Sequence, residues 1–213
     1  MLKLIFVRHG NSVSNVSKTF TGHRDEPLSL VGEKQASRVS EFLFKNYKVD
    51  KIYSSDLSRA VNTIKEFSNL SGLEIIKDCR LREMFGGQWE GNLFEELPTL
   101  FPDDYKVWKD TPGLARPTGG ESYEEVQKRI VKFVEDIEKI DDGKTVLIST
   151  HGGIIRAFEC VIRGVSLERM QDVPYVLNAS ISVVEVNNGQ YKLLQSNLTE
   201  YLEELQTAMP KGI

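Results

Sequence analysis

Cysteine is scarce in this chain, with only Cys79 and Cys160 among 213 residues. Two isolated thiols fit neither a metal-ligand spacing nor a disulfide framework, so both are expected reduced. Histidine is scarce as well. His9, His23 and His151 lack the His-x-x-x-His spacing by which a helix grips zinc, and no metal site and no cofactor are expected. Long hydrophobic runs are missing: nothing approaches the roughly eighteen apolar residues of a membrane span, and the opening Leu2–Val7 run is too short for a signal sequence. Positive charge is not in excess, since 27 Lys and Arg against 31 Asp and Glu leave a net charge of −4. That balance argues against nucleic acid or an anionic membrane as partner, and makes any anion site a local concentration of cations. Repeats, low-complexity segments and linkers are also lacking. The expectation is a single cytoplasmic domain over residues 1–213, long enough to bury roughly 70% of its unfolded surface.

What the chain does have is a regular alternation of strands and helices. Leu2–Val7 is an almost unbroken apolar run, as in a strand covered on both faces, and it leads into Arg8-His9-Gly10. Ser29 suits the N-cap of a helix reaching about Asn46, with Ala36, Val39 and Leu43 on one face. Lys51–Ser54 reads as a second strand, followed by a helix that buries Ala60, Ile64 and Phe67, and Leu73–Lys77 as a third strand. From Asp78 to Gly120 the pattern breaks down. That stretch holds both tryptophans and four of the seven prolines, and Glu90–Leu100 is its candidate helix. Ser122 and Glu125 form a capping box ahead of the stripe Val126, Ile130, Phe133, Ile137. Thr145–Ser149 is another fully apolar strand, giving way to Thr150-His151-Gly152-Gly153 and a helix over Ile154–Arg163. Ile181–Val186 and Tyr191–Ser196 flank Asn187-Asn188-Gly189-Gln190, a hairpin signal. Strands alternating with helices imply right-handed crossovers and a mostly parallel sheet.

Three of these strands end in loops that open helices, and each loop carries a cation or a group that can become one: Arg8 and His9, then Arg59, then His151. Open α/β sheets bind ligands beyond the carboxyl ends of their strands. Arg59 falls in the first turn of its helix, where free N–H groups also favour an anion. Gly152 lets backbone approach a ligand beside His151, and Asn15 adds a neutral donor. Two arginines, two histidines and an amide suit a doubly charged tetrahedral oxyanion, best matched by phosphate. Which carboxylate would serve as proton donor stays open among Glu83, Glu90, Glu95 and Glu121.

Arg8-His9-Gly10 with Asn15, Ser54-Ser55-Asp56-Leu57-Ser58-Arg59-Ala60, Leu81-Arg82-Glu83-Met84-Phe85-Gly86-Gly87-Gln88-Trp89-Glu90-Gly91, Gly119-Gly120-Glu121-Ser122 and Thr150-His151-Gly152-Gly153 occur in one order over about residues 2 to 197. In this the chain resembles the histidine phosphatase superfamily, in the branch of cofactor-dependent phosphoglycerate mutases and small broad-specificity phosphatases. The resemblance implies a three-layer α/β/α sandwich around a six-stranded, mostly parallel mixed sheet with one antiparallel strand. It also implies a metal-independent reaction through a phosphohistidine. His9 would be the nucleophile, Glu83 the proton donor, and Arg8, Arg59 and His151 the holders of the phosphoryl oxygens, with Asn15 and Gly152 in support.

Departures bear on the substrate. Mutases of this branch carry Glu-Arg-x-Tyr-Gly around the acid, whose Arg and Tyr grip a carboxylate, whereas here the segment is Glu83-Met84-Phe85-Gly86. Asn11 stands where Glu or Gln is usual. The expected activity is hydrolysis of small phosphomonoesters. A phosphoglycerate mutase and a non-catalytic phosphometabolite-binding protein are the alternatives. Thr21, Gly22, His23, Phe85 and Trp89 are the candidate lining of the leaving-group pocket, with Trp108 and the tail after Leu198 nearby. A homodimer is compatible with this reading.

Overall fold

The computed structural model describes residues 1–207. Its six strands are β1 (Leu2–Arg8), β2 (Lys51–Ser54), β3 (Ile75–Lys77), β4 (Thr145–Thr150), β5 (Ile181–Asn187) and β6 (Gln190–Leu198). They form one sheet in the order β3-β2-β4-β1-β5-β6. β1, β2, β3 and β4 pair in parallel, β5 runs antiparallel to β1, and β6 antiparallel to β5, so a single strand is reversed. Asn188 and Gly189 both take positive φ, 51° and 73°, at the hairpin tip between β5 and β6. Two left-handed central residues are what a two-residue hairpin with the right twist demands.

The helices are α1 (Val13–Ser17), α2 (Leu30–Asn46), α3 (Ser58–Ser71), α4 (Leu97–Leu100), α5 (Pro102–Asp110), α6 (Tyr123–Ile140) and α7 (Gly152–Arg163). Alternation along β1 divides the core. Leu4 and Phe6 pack on one face with Val126, Ile130 and Phe133 of α6 and Ile154 and Phe158 of α7. Ile5 and Val7 pack on the other with Val39 and Leu43 of α2 and Ile64 and Phe67 of α3. The result is helices on both sides of the sheet, the expected α/β/α layering.

Two boundaries differ from the sequence reading. The third strand is only Ile75–Lys77, its side chains half-buried to exposed at the sheet edge. Glu90–Leu100 is not a helix. Gly91 takes φ +90°, and helix forms only over Leu97–Leu100, with Pro98 in its first turn. The longer helix of this region is α5, which opens on Pro102 with Asp103 and Asp104 beside its N-terminus. A third apolar cluster sits under these pieces, with Phe20, Trp89 and Leu97 packed against Phe94, Phe101, Tyr105 and Trp108.

Candidate active site

The parallel pairing sets the strand ends level: Arg8 lies opposite Thr150, and Ser54 opposite Ser149. β1, β2 and β4 therefore deliver their following loops to one crevice. A cavity of about 160 Å³ opens there. Its walls include Arg8, His9, Asn15, Arg59, Glu83, Gly152 and Gly153.

His9 follows β1 directly and is buried. Its Nδ1 is 2.7 Å from the Gly10 carbonyl oxygen. A carbonyl only accepts, so the proton sits on Nδ1 and Nε2 keeps its lone pair. Burial, and then the charges of Arg59 and Arg8, push the imidazole well below its ordinary pKa. His9 is thus neutral at neutral pH.

His151 is fully buried against it, ring centroids 5.1 Å apart, and is not part of the cavity wall. Its Nε2 is 2.9 Å from Ser55 Oγ, which itself accepts from Leu57 N. Its Nδ1 is a buried atom with no partner among the described residues. Burial, then Arg59 and His9, hold this imidazole well below its ordinary range too.

The arginines are anchored through carbonyls. Arg8 Nη1 donates to Val176 O, and Arg59 donates to Arg24 O at 2.9 Å and Gly22 O at 2.8 Å. Desolvation draws Arg8 down to about 10 and lowers Arg59, against the pull of Glu83 on both. Asn15 closes a capping box with Ser12 and accepts from Asn178 Nδ2 at 3.1 Å, so its oxygen is engaged. Its amide NH₂ remains for a ligand.

Among the carboxylates weighed from sequence, Glu83 alone reaches the cavity. Its Oε2 accepts from Gly153 N at 3.1 Å, at the start of α7. Its loop is held by Arg129, which donates to the carbonyls of Arg80, Arg82 and Glu83. Glu121 is occupied with Arg129, and Glu90 accepts from His23 N and Gly86 N within the loop.

Thr21 and Gly22 line the cavity as expected, but His23, Phe85 and Trp89 do not. His23 Nε2 turns to the Glu83 carbonyl, 2.7 Å away, and tilts against Phe85. Phe85 is 39% exposed outside the cavity, and Met84 lines the cavity in its place. Trp89 is 0% exposed at the centre of the third apolar cluster. Trp108, from the same cluster, does reach the wall. Asn11 Oδ1 accepts from Ser29, the cap of α2, and so fixes the loop after β1 to that helix. The tail packs beside it, with Leu205 O accepting from Gln35 Nε2. Residues 208–213 lie outside the described residues. Arg156, Tyr175 and Asn178 line the cavity without having been singled out in the sequence. Arg156 was findable, three residues after Gly153 on one face of a helix. Asn178 lies in an aperiodic stretch that gave no signal.

A mostly parallel mixed sheet with a cationic crevice at its strand ends defines a class of α/β protein suited to binding a small oxyanion. The model of the histidine phosphatase superfamily (branch 1) matches residues 4–199, and the chain belongs to that family. It is 34% identical to phosphoserine phosphatase 1 of Hydrogenobacter thermophilus, covering 100% of both chains. It is 33% identical to a 2,3-bisphosphoglycerate-dependent phosphoglycerate mutase of Gloeothece citriformis, over 82% of this chain and 88% of that one. Among solved structures, a mycobacterial glucosyl-3-phosphoglycerate phosphatase in complex with VO3 superposes with a TM-score of 0.85 at 28% identity, covering 92% of this chain and 99% of the other.

Proposed function

We propose that this protein hydrolyses small phosphomonoesters, without a metal, through a phosphohistidine on His9. The class rests on the family and its phosphatase relatives: the chain is a phosphatase of small phosphorylated metabolites. The observation that carries the mechanism is the neutral, Nδ1-protonated His9 beside Arg8 and Arg59. Its Nε2 lone pair attacks phosphorus while the ester oxygen leaves with a proton from Glu83. Arg8, Arg59 and the Asn15 amide stabilise the equatorial oxygens, with His151 packed against the nucleophile, supplying the charge that a divalent ion provides elsewhere. Water then gives a proton back to Glu83 and attacks the phosphohistidine, which frees inorganic phosphate and restores His9.

The mutase reading is weaker here. A mutase must keep a bisphosphorylated intermediate from water while it turns around, and the polar pair that would grip its carboxylate is replaced by Met84 and the outward-facing Phe85. The test is rapid acid quenching during turnover of a labelled aryl phosphate after exhaustive chelation. Label is expected on His9, with His9→Ala folded and inactive. Label on His151 or a serine, or activity restored only by a divalent ion, overturns the mechanism.

A further inference from the structure

Arg156 is a cation the proposed chemistry does not use. It belongs to α7, is only 4% exposed, and lines the cavity. Its Nε donates to Val173 O at 3.0 Å and its Nη2 to Met170 O at 2.9 Å, and its guanidinium carbon lies 4.1 Å from the Tyr175 ring centroid. Among the described residues it has no carboxylate partner, and its Nη1 has no hydrogen bond. A buried guanidinium braced by two carbonyls and an aromatic face, yet lacking a counter-ion, is a site prepared for an anion from outside.

Its placement says which part of the substrate that anion belongs to. Gly153 N holds the Glu83 carboxylate, and Arg156 follows three residues later on the same face of α7. Helical side chains lean toward the N-terminus, so Arg156 reaches back toward the mouth of the site. A leaving group whose oxygen meets Glu83 therefore extends along α7 toward Arg156, over a span of about one helical turn, near 5.4 Å. We infer that Arg156 is a specificity-determining residue that binds a carboxylate on the leaving group, making phosphorylated small hydroxy acids the favoured substrates. One cation with one free nitrogen matches a single negative charge better than a second phosphoryl dianion. The lost Arg-x-Tyr grip is thus replaced from a different wall.

This rests on the phosphatase reading, and the experiment separates the two. Phosphate release by the wild type is measured on nitrophenyl phosphate, on phosphoserine and on phosphoserine carboxamide, which differs only in the charge. The expected result is a kcat/KM about 10- to 100-fold higher for the carboxylate than for the amide. Arg156→Gln should bring that ratio close to one, and Arg156→Lys should restore part of it. A wild type that treats the pair alike overturns the inference even where Arg156→Gln fails to fold. Equal loss on both substrates in a folded Arg156→Gln overturns it too, and shows Arg156 to be a brace for residues 170–173. No release even from nitrophenyl phosphate overturns the phosphatase reading and this inference with it.

Discussion

Glu83 shows what single residues in this site depend on. Its two oxygens accept from Met84 N and Gly153 N, which fixes the carboxyl in the cavity, and among the described residues no cation is bonded to it. Glu83 is the proposed proton donor, so its value should scale with how badly the leaving group leaves. Glu83→Gln keeps the size and removes the transferable proton. Alkyl phosphates should slow by about 10²- to 10⁴-fold while nitrophenyl phosphate slows far less. Steady-state rates on the two substrates check this, and equal slowing would make Glu83 a structural residue. His9, Arg8, Arg59 and His151 were legible in the sequence because each stands where a strand gives way to a helix. Glu83 was not, since its loop has no period and the neighbouring glutamates look alike until Arg129 and the loop amides claim two of them. His23, Phe85 and Trp89 were misplaced for the same reason: within an irregular loop, the sequence does not say which side chains turn toward the cavity.

At the scale of elements, the periodic parts of the chain were read nearly to the residue, and the capped ones best. Ser29 and Ser122 cap α2 and α6 as their side chains required, and Asn188-Gly189 turned the hairpin. The error fell at Glu90–Leu100, where tertiary packing around Trp89 outweighs local preference. The start of α7 ties an element to the chemistry. A Cβ on Gly153 would lie 2.4 Å from Glu83 Oε1, the far end of a side chain that can swing aside. The helix itself tolerates alanine, which exceeds glycine in helix propensity by roughly 0.5–1 kcal/mol. Gly153→Ala should therefore melt at or slightly above the wild-type temperature, yet lose most of its activity on alkyl phosphates, with nitrophenyl phosphate less affected. Thermal melts and the two rates on one preparation decide it. A variant that loses stability and both activities together would show that the glycine serves packing instead.

For the whole molecule, the cost of this site appears in its response to acid. His9 and His151 are buried beside two arginines, and burial, then those charges, keep both neutral in the folded chain well below their ordinary pKa near 6.5. In the unfolded chain they protonate normally. Below pH 6.5 the unfolded state therefore binds more protons, and stability must fall as the pH falls, until the folded pKa values are passed. Each histidine lowers stability by up to about 1.4 kcal/mol per pH unit until its own folded pKa is passed, which is appreciable against the roughly 5–15 kcal/mol typical of a domain. Carboxylates held low in the folded state, such as Asp56 under its hydrogen bonds from Arg82, add their losses only below about pH 4. The window between pH 5 and 6.5 thus reports on the histidines. Denaturant titrations across it should show a steep loss for the wild type and a slope reduced by about half in His9→Ala. Saturating inorganic phosphate should flatten the wild-type slope, because a bound dianion favours the imidazolium forms that the empty site opposes. A wild type whose stability is level from pH 6.5 to 5 would mean that both histidines protonate freely in the folded chain, and the neutral nucleophile would be lost with it.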